Sequence, residues 1–157
     1  MGRFYSIPFS ATSVSAAVDA FEVLASSAKP FVLHRVVLAQ SSDYGDAAAE
    51  GLSVLIKRAT GSYTRGSGGS TVTPAKHLTN DAAAGPTAEV CNTTQAAAGS
   101  GALTTVLAEA FNVQAGWEYL PVPEQRLLFL PAEACVVSIT APTDAVTLSG
   151  TMTVEEF

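Results

Sequence analysis

Charge is what this chain has least of. Only 14% of its 157 residues are Asp, Glu, Lys or Arg, against roughly a quarter in ordinary soluble domains. Cations are scarcer still: after residue 77, Arg126 stands alone against nine carboxylates, and the net charge is −6. Binding to a phosphate backbone is driven by Lys and Arg releasing counterions, so this balance argues against direct nucleic-acid contact. No apolar run approaches the ~20 residues of a membrane helix, and no membrane role is expected. The start, Met1–Phe9, lacks the uninterrupted apolar segment and small-residue cleavage site of a secretory signal, and reads as a protein made in a cytoplasm. Cysteine is equally sparse. Cys91 and Cys135 have 43 residues between them and lack CxxC spacing, which reads as two reduced structural thiols.

Catalytic and metal signatures are thin. His34 and His77 are the only histidines, with no HxH or HExxH pattern and no cysteine at ligand spacing, and they read as a strand and a surface histidine. Gly61-Ser-Tyr-Thr-Arg-Gly66 has the glycine spacing of a phosphate loop, but Ser67 stands where the phosphate-reaching lysine belongs. Asp43, Asp46 and Glu50 share one connection and offer oxygen to a hard cation, although turn and helix capping explains them better and their spacing is not that of an EF-hand. No Gly-x-Ser-x-Gly elbow occurs. A glycosidase pair of carboxylates meets in space rather than in sequence; Glu118, Glu124 and Glu133 are its first candidates. No metal and no cofactor is expected, and the chain reads as a non-enzyme.

What is present is β patterning. From Val146 to Val154 the even positions are Val, Leu, Gly, Met and Val, and the odd ones Thr, Ser, Thr and Thr. Period two with one apolar side is the mark of a half-buried antiparallel strand. Strand-like runs also cover Arg3–Phe9, Ala17–Ala25, Phe31–Gln40, Leu52–Arg58, Ala88–Thr94, Leu103–Phe111 and Glu133–Ala141. Eight strands in one domain of this length fit an all-β antiparallel sandwich. Phe31–Gln40 is apolar on both faces and is expected to be a central, doubly covered strand. Asp46–Glu50 and Thr94–Gly99 are short connections with room for a helical turn. Residues 60–74 are expected to be a flexible loop that holds two large side chains, Tyr63 and Arg65, against a Gly/Ser background. Trp117 and Tyr119 precede two prolines; they either close one end of the core or form a platform for sugar or protein. Apolar surface in excess of what charge can offset points to an assembly subunit.

Several segments together carry a resemblance. They are Val32–Gln40, the connection 41–50, Leu52–Arg58, the Gly/Ser loop ending Thr73-Pro74, Glu89–Thr94, Phe111–Trp117 and the ending Gly150–Phe157. As a set they resemble a group of small proteins encoded among the structural genes of tailed phages. The resemblance implies a virion protein, similar to the jelly-roll cement or decoration proteins on capsid surfaces. It further implies a homotrimer bound to the major capsid protein, with a tail- or fibre-associated adaptor or glycan-binding module as the alternative. On that reading, Met1–Phe9, as an N-terminal arm or edge strand, and the 60–74 loop would supply the adaptable contacts. The candidate interface residues are then Arg3, Phe4, Tyr5, Tyr63, Arg65, Trp117 and Tyr119.

Overall fold

The computed structural model describes residues 2–41 and 50–157. Asp43, Asp46 and the helical turn expected at 46–50 lie outside them, apart from Glu50, whose carboxylate accepts the Thr143 amide. Twelve strands form two antiparallel sheets: β1 Arg3–Val14, β2 Val18–Leu24, β3 Phe31–Gln40, β4 Gly51–Thr60, β5 Ser70–Val72, β6 Ala75–Lys76, β7 Thr87–Asn92, β8 Ala102–Asn112, β9 Trp117–Tyr119, β10 Leu127–Phe129, β11 Ala134–Ile139 and β12 Val146–Glu156. One sheet runs β10-β3-β12-β1-β6, with β9 also on β3, and the other runs β5-β7-β2-β11-β4-β8. All eight expected strands occur, within a few residues of their expected ends. The four short strands β5, β6, β9 and β10 were not expected, because two or three residues carry no period.

β12 organises the core. Its even positions point inward, and the alternation of buried and half-buried residues continues to Glu156. It lies between β1, pairing Tyr5 with Val154 and Ile7 with Met152, and β3, pairing Leu38 with Gly150. Gly150 is required by packing. A Cβ there would stand 2.8 Å from Leu38 Cδ2, from Phe9 Cε1 and from the Val37 carbonyl. Phe9 meets Phe21 of the opposite sheet at 5.2 Å, and Ile7, Leu33, Leu38, Val54, Ile56, Val137 and Met152 fill the space between the sheets. Each such side chain contributes about 1.5–3 kcal/mol on burial.

β3 corrects one expectation. Its pairing with β12 slips between Arg35 and Leu33, leaving His34 as an extra residue. A bulge reverses the inside-outside alternation. Leu33 and Val36, assigned to opposite faces by strict alternation, therefore both enter the core, while Arg35 and Ala39 stay exposed. The doubly covered strands are instead β2 and β11. Their second cover is the excursion from 61 to 101. It lays Ala96 and Tyr63 over Ala59, Ala134 and Val136, with Leu24 and Leu103 at the margin.

Candidate interaction surface

The excursion is fastened by two carboxylates whose burial has no signal in the local sequence. Glu22, fully buried in β2, accepts bonds from Tyr63 Oη (2.9 Å), Arg65 Nε (2.8 Å), the Gly66 amide (2.8 Å) and Asn92 Nδ2 (3.2 Å). Gly66 is needed for that approach: a Cβ would stand 2.7 Å from Asn92 Nδ2 and 3.0 Å from Glu22 Oε2. Arg65 also pairs with Glu89 at 3.4 Å. Burial and the Glu22 charge push the Tyr63 phenol far above its ordinary value. Three residues earlier, Asp19 accepts Ser138 Oγ–H and the Ala96 amide, both at 2.6 Å. Burial raises its carboxyl, opposed by those two bonds. Backbone bonds between Thr64 and Ala97 and between Ser67 and Thr94 tie the two ends of the excursion to each other.

The stretch 60–74, expected to be a flexible loop, contains the short strand β5 and bridges at Thr64 and Ser67. The side chains of Tyr63 and Arg65 turn back to Glu22, because a buried carboxylate must collect donors and the nearest ones lie on this loop. Thr94–Gly99 contributes bridges at Thr94 and Ala97 and no helical turn.

The N-terminal residues are also placed within the fold. β1 pairs with β12 from Arg3 onward and with β6 at Tyr5 and Ser6, so among the described residues there is no free arm. Tyr5 is wholly buried, its hydroxyl donating to the Ala82 carbonyl at 3.1 Å. Phe4 packs edge-on against His34 at 4.9 Å and stacks with His77 at 6.0 Å. Both histidines are engaged elsewhere as well, His34 with Glu155 and His77 with Ser6. Arg3 is half-buried.

Trp117 and Tyr119 take the core role of the two proposed for them. Trp117 is 8% exposed, donates Nε1–H to Glu109 at 2.8 Å and stacks with the half-buried Tyr119 at 6.4 Å. Tyr119 packs against the core margin, and its hydroxyl reaches the Gln125 carbonyl. Of the seven candidates, Tyr5 and Trp117 are buried, and Tyr63 and Arg65 meet at Glu22. Of the carboxylates considered for hydrolysis, Glu118 pairs with Arg35, and Glu133 holds Arg58 and the Leu130 amide.

The exposed apolar surface lies elsewhere. Among the described residues, five of the seven exposed large hydrophobic ones, Val106, Leu120, Val122, Leu128 and Leu130, belong to β8 and to the 117–130 segment that runs along the same side of the sandwich. Between them is a groove of about 420 Å³ with Val106, Leu107 and Glu109 on one wall and Tyr119, Leu120 and Pro121 on the other. Leu128 and Leu130 are outward while Phe129 is inward and stacks on Phe31. That alternation is visible in Leu127-Leu128-Phe129-Leu130, but an unbroken apolar run does not say which residue faces water. No known protein family, curated protein or solved structure matches this chain.

Proposed function

We propose that the protein is a capsid decoration subunit, a structural virion component that binds the major capsid protein lattice and stabilises it without turnover. The observation that supports this best is the cluster Leu120, Val122, Leu128 and Leu130 on a side of a charge-poor sandwich. Contiguous exposed apolar residues mark sites of protein contact. A decoration protein needs rigid area, and the buried Asp19 and Glu22 networks supply it by tying both ends of the 61–101 excursion to the sheet. A contact of ordinary size, about 800 Å² per partner, becomes effectively permanent when several copies engage one lattice. The subunit would be made in a bacterial cytoplasm and end on the virion surface.

The winding supports the jelly-roll form of the sandwich. With the excursion set aside, β1 lies beside β12, β12 beside β3, and β3 beside β9 and β10; in the other sheet β2, β11, β4 and β8 follow one another. The chain crosses between sheets as two Greek keys do. A glycan platform would require an exposed ring, and Trp117 faces the core.

Attachment is tested by co-sedimentation with shells assembled from the major capsid protein of the encoding phage. The parent is expected to pellet with shells. The double variant Leu120→Asp, Val122→Asp, altered only at exposed positions, should keep its far-UV circular dichroism and bind about a hundredfold more weakly, from roughly 1.5 kcal/mol lost per side chain. Equal binding of the double variant would remove the patch from the reading. A parent that ignores shells but binds tails would replace it with the adaptor.

A further inference from the structure

The edges of the two sheets are unequal. β5 has three residues, β6 two, and β9 and β10 three each. Beyond Ser6 the outer side of β1 carries Pro8 and the irregularity between Phe9 and Thr12. These are the usual means by which edges avoid pairing. β8 differs. It has eleven residues, mostly exposed, without proline, glycine or lysine and with Glu109 as its single charge. Among the described residues no strand pairs with its outer side. One irregularity, at Val106, interrupts it, and from Leu107 to Asn112 its register with β4 is unbroken. The Asn112 carbonyl is taken by the Ala115 and Gly116 amides, and short of it a regular strand edge with its outward N–H and C=O groups unpaired is a template for another strand.

We propose that two copies of this chain join antiparallel along β8, about a two-fold axis at Ala110, into one continuous sheet. The register follows from the single charge. Centred on Glu109, the pairing would set two carboxylates directly opposite one another, which is unfavourable. Centred one residue further on, Ala110 faces itself, Ala108 faces Asn112 and Glu109 faces Phe111. Every pair then matches in the face it occupies, because the irregularity at Val106 lies outside the paired stretch. The axis position carries a small, exposed side chain that permits close approach.

The copy number follows from the edges. A three-membered ring, as the phage resemblance implies, needs β8 to enter a different edge of its neighbour. The described alternatives offer two or three continuous residues, or a strand interrupted by Pro8. β8 is its own best complement, and an isologous contact uses the regular stretch of that edge on both copies and closes at two.

Light scattering of the purified parent is expected to give about 32 kDa, twice the 16.1 kDa of one chain. Ala110→Cys gives the positive test. Directly opposed Cα atoms in an antiparallel pair are about 4.5–5.5 Å apart, within the roughly 4.4–6.8 Å that a disulfide spans. Under mild oxidation it should run as a covalent dimer on a non-reducing gel. Thr105→Cys, outside the paired stretch, should not, and the native Cys91 and Cys135 are buried. Ala110→Lys opposes two cations at the axis and should be monomeric with an unchanged circular dichroism spectrum. A parent of one or three chains, or a dimer that survives Ala110→Lys while Ala110→Cys fails to cross-link, would overturn the proposal. None of these readouts involves a capsid shell, so they are independent of attachment.

Discussion

Replacing Glu22 with Gln tests whether the excursion is held by its buried carboxylate. The substitution keeps shape and volume but turns one oxygen into an NH2. Both oxygens face donors: Oε1 receives Tyr63 and Arg65, and Oε2 receives Gly66 and Asn92. Whichever way the amide turns, two donors then confront a donor. Losing charged hydrogen bonds costs about 1.5–3 kcal/mol each, and leaving buried groups unpaired adds to it. Arg65 is 38% exposed, so solvent can replace its share and reduces the total. The net expectation is a loss of about 3 kcal/mol, which for a domain of this length lowers the melting temperature by roughly 10 °C. Tyr63→Phe, which removes one bond and leaves the carboxylate, should cost about half as much. Guanidinium unfolding measures both. Hydrogen exchange locates the effect: the amides of Thr64, Ser67, Thr94 and Ala97, which tie the excursion to itself, should lose protection while those between β1 and β12 keep it. A Glu22→Gln loss below about 1 kcal/mol, or protection falling evenly over the molecule, would refute the argument.

Gly150→Ala should destabilise by about 1–3 kcal/mol in chemical unfolding, because the added methyl meets the Val37 carbonyl as well as two core side chains; a neutral result would mean that β3 can shift. Asp19 gives a pH dependence with a definite sign. Burial raises its folded-state pKa above the unfolded value, so the folded state holds the proton more tightly, and its contribution declines as pH rises from the ordinary aspartate value through the raised one. Asp19→Asn abolishes that titration. The stability difference between parent and variant should therefore move against the parent as pH rises from 4 to 7, and a difference independent of pH would contradict the raised value.

The legible part of this fold is the part governed by local period. β12 declares its register because Val146, Leu148, Met152 and Val154 alternate with hydroxyls, and the structure continues that alternation to Glu156. β3 has no such clarity. Its run of apolar residues is compatible with two covered faces, and only the pairing partner reveals that His34 is an extra residue and that Leu33 and Val36 share a side. Short strands are invisible for a related reason. β9 and β10 exist because β3 offers them an edge in succession, Val36–Leu38 to one and Phe31–Leu33 to the other, which is a property of the partner and not of their own three residues.

The candidate surface was illegible because exposure was inferred from chemistry. Tyr63 and Arg65 stand on a Gly/Ser background, and such composition ordinarily marks a loop free in water. Asp19 and Glu22 look like ordinary strand carboxylates until the sheet places them beneath that loop, at which point they need donors and the loop is the source. The glycines then serve proximity, as Gly66 does against Glu22. The same reversal explains the apolar side. Leucines between prolines at 120–131 look like core, yet once Trp117, Tyr119 and Phe129 have filled the space beneath, Leu120, Val122, Leu128 and Leu130 have no interior left to enter. Carboxylates that seemed available are consumed by folding, while hydrophobic residues that seemed committed remain outside. A surface with that history carries little charge, so a partner for it would have to be recognised by shape and apolar contact.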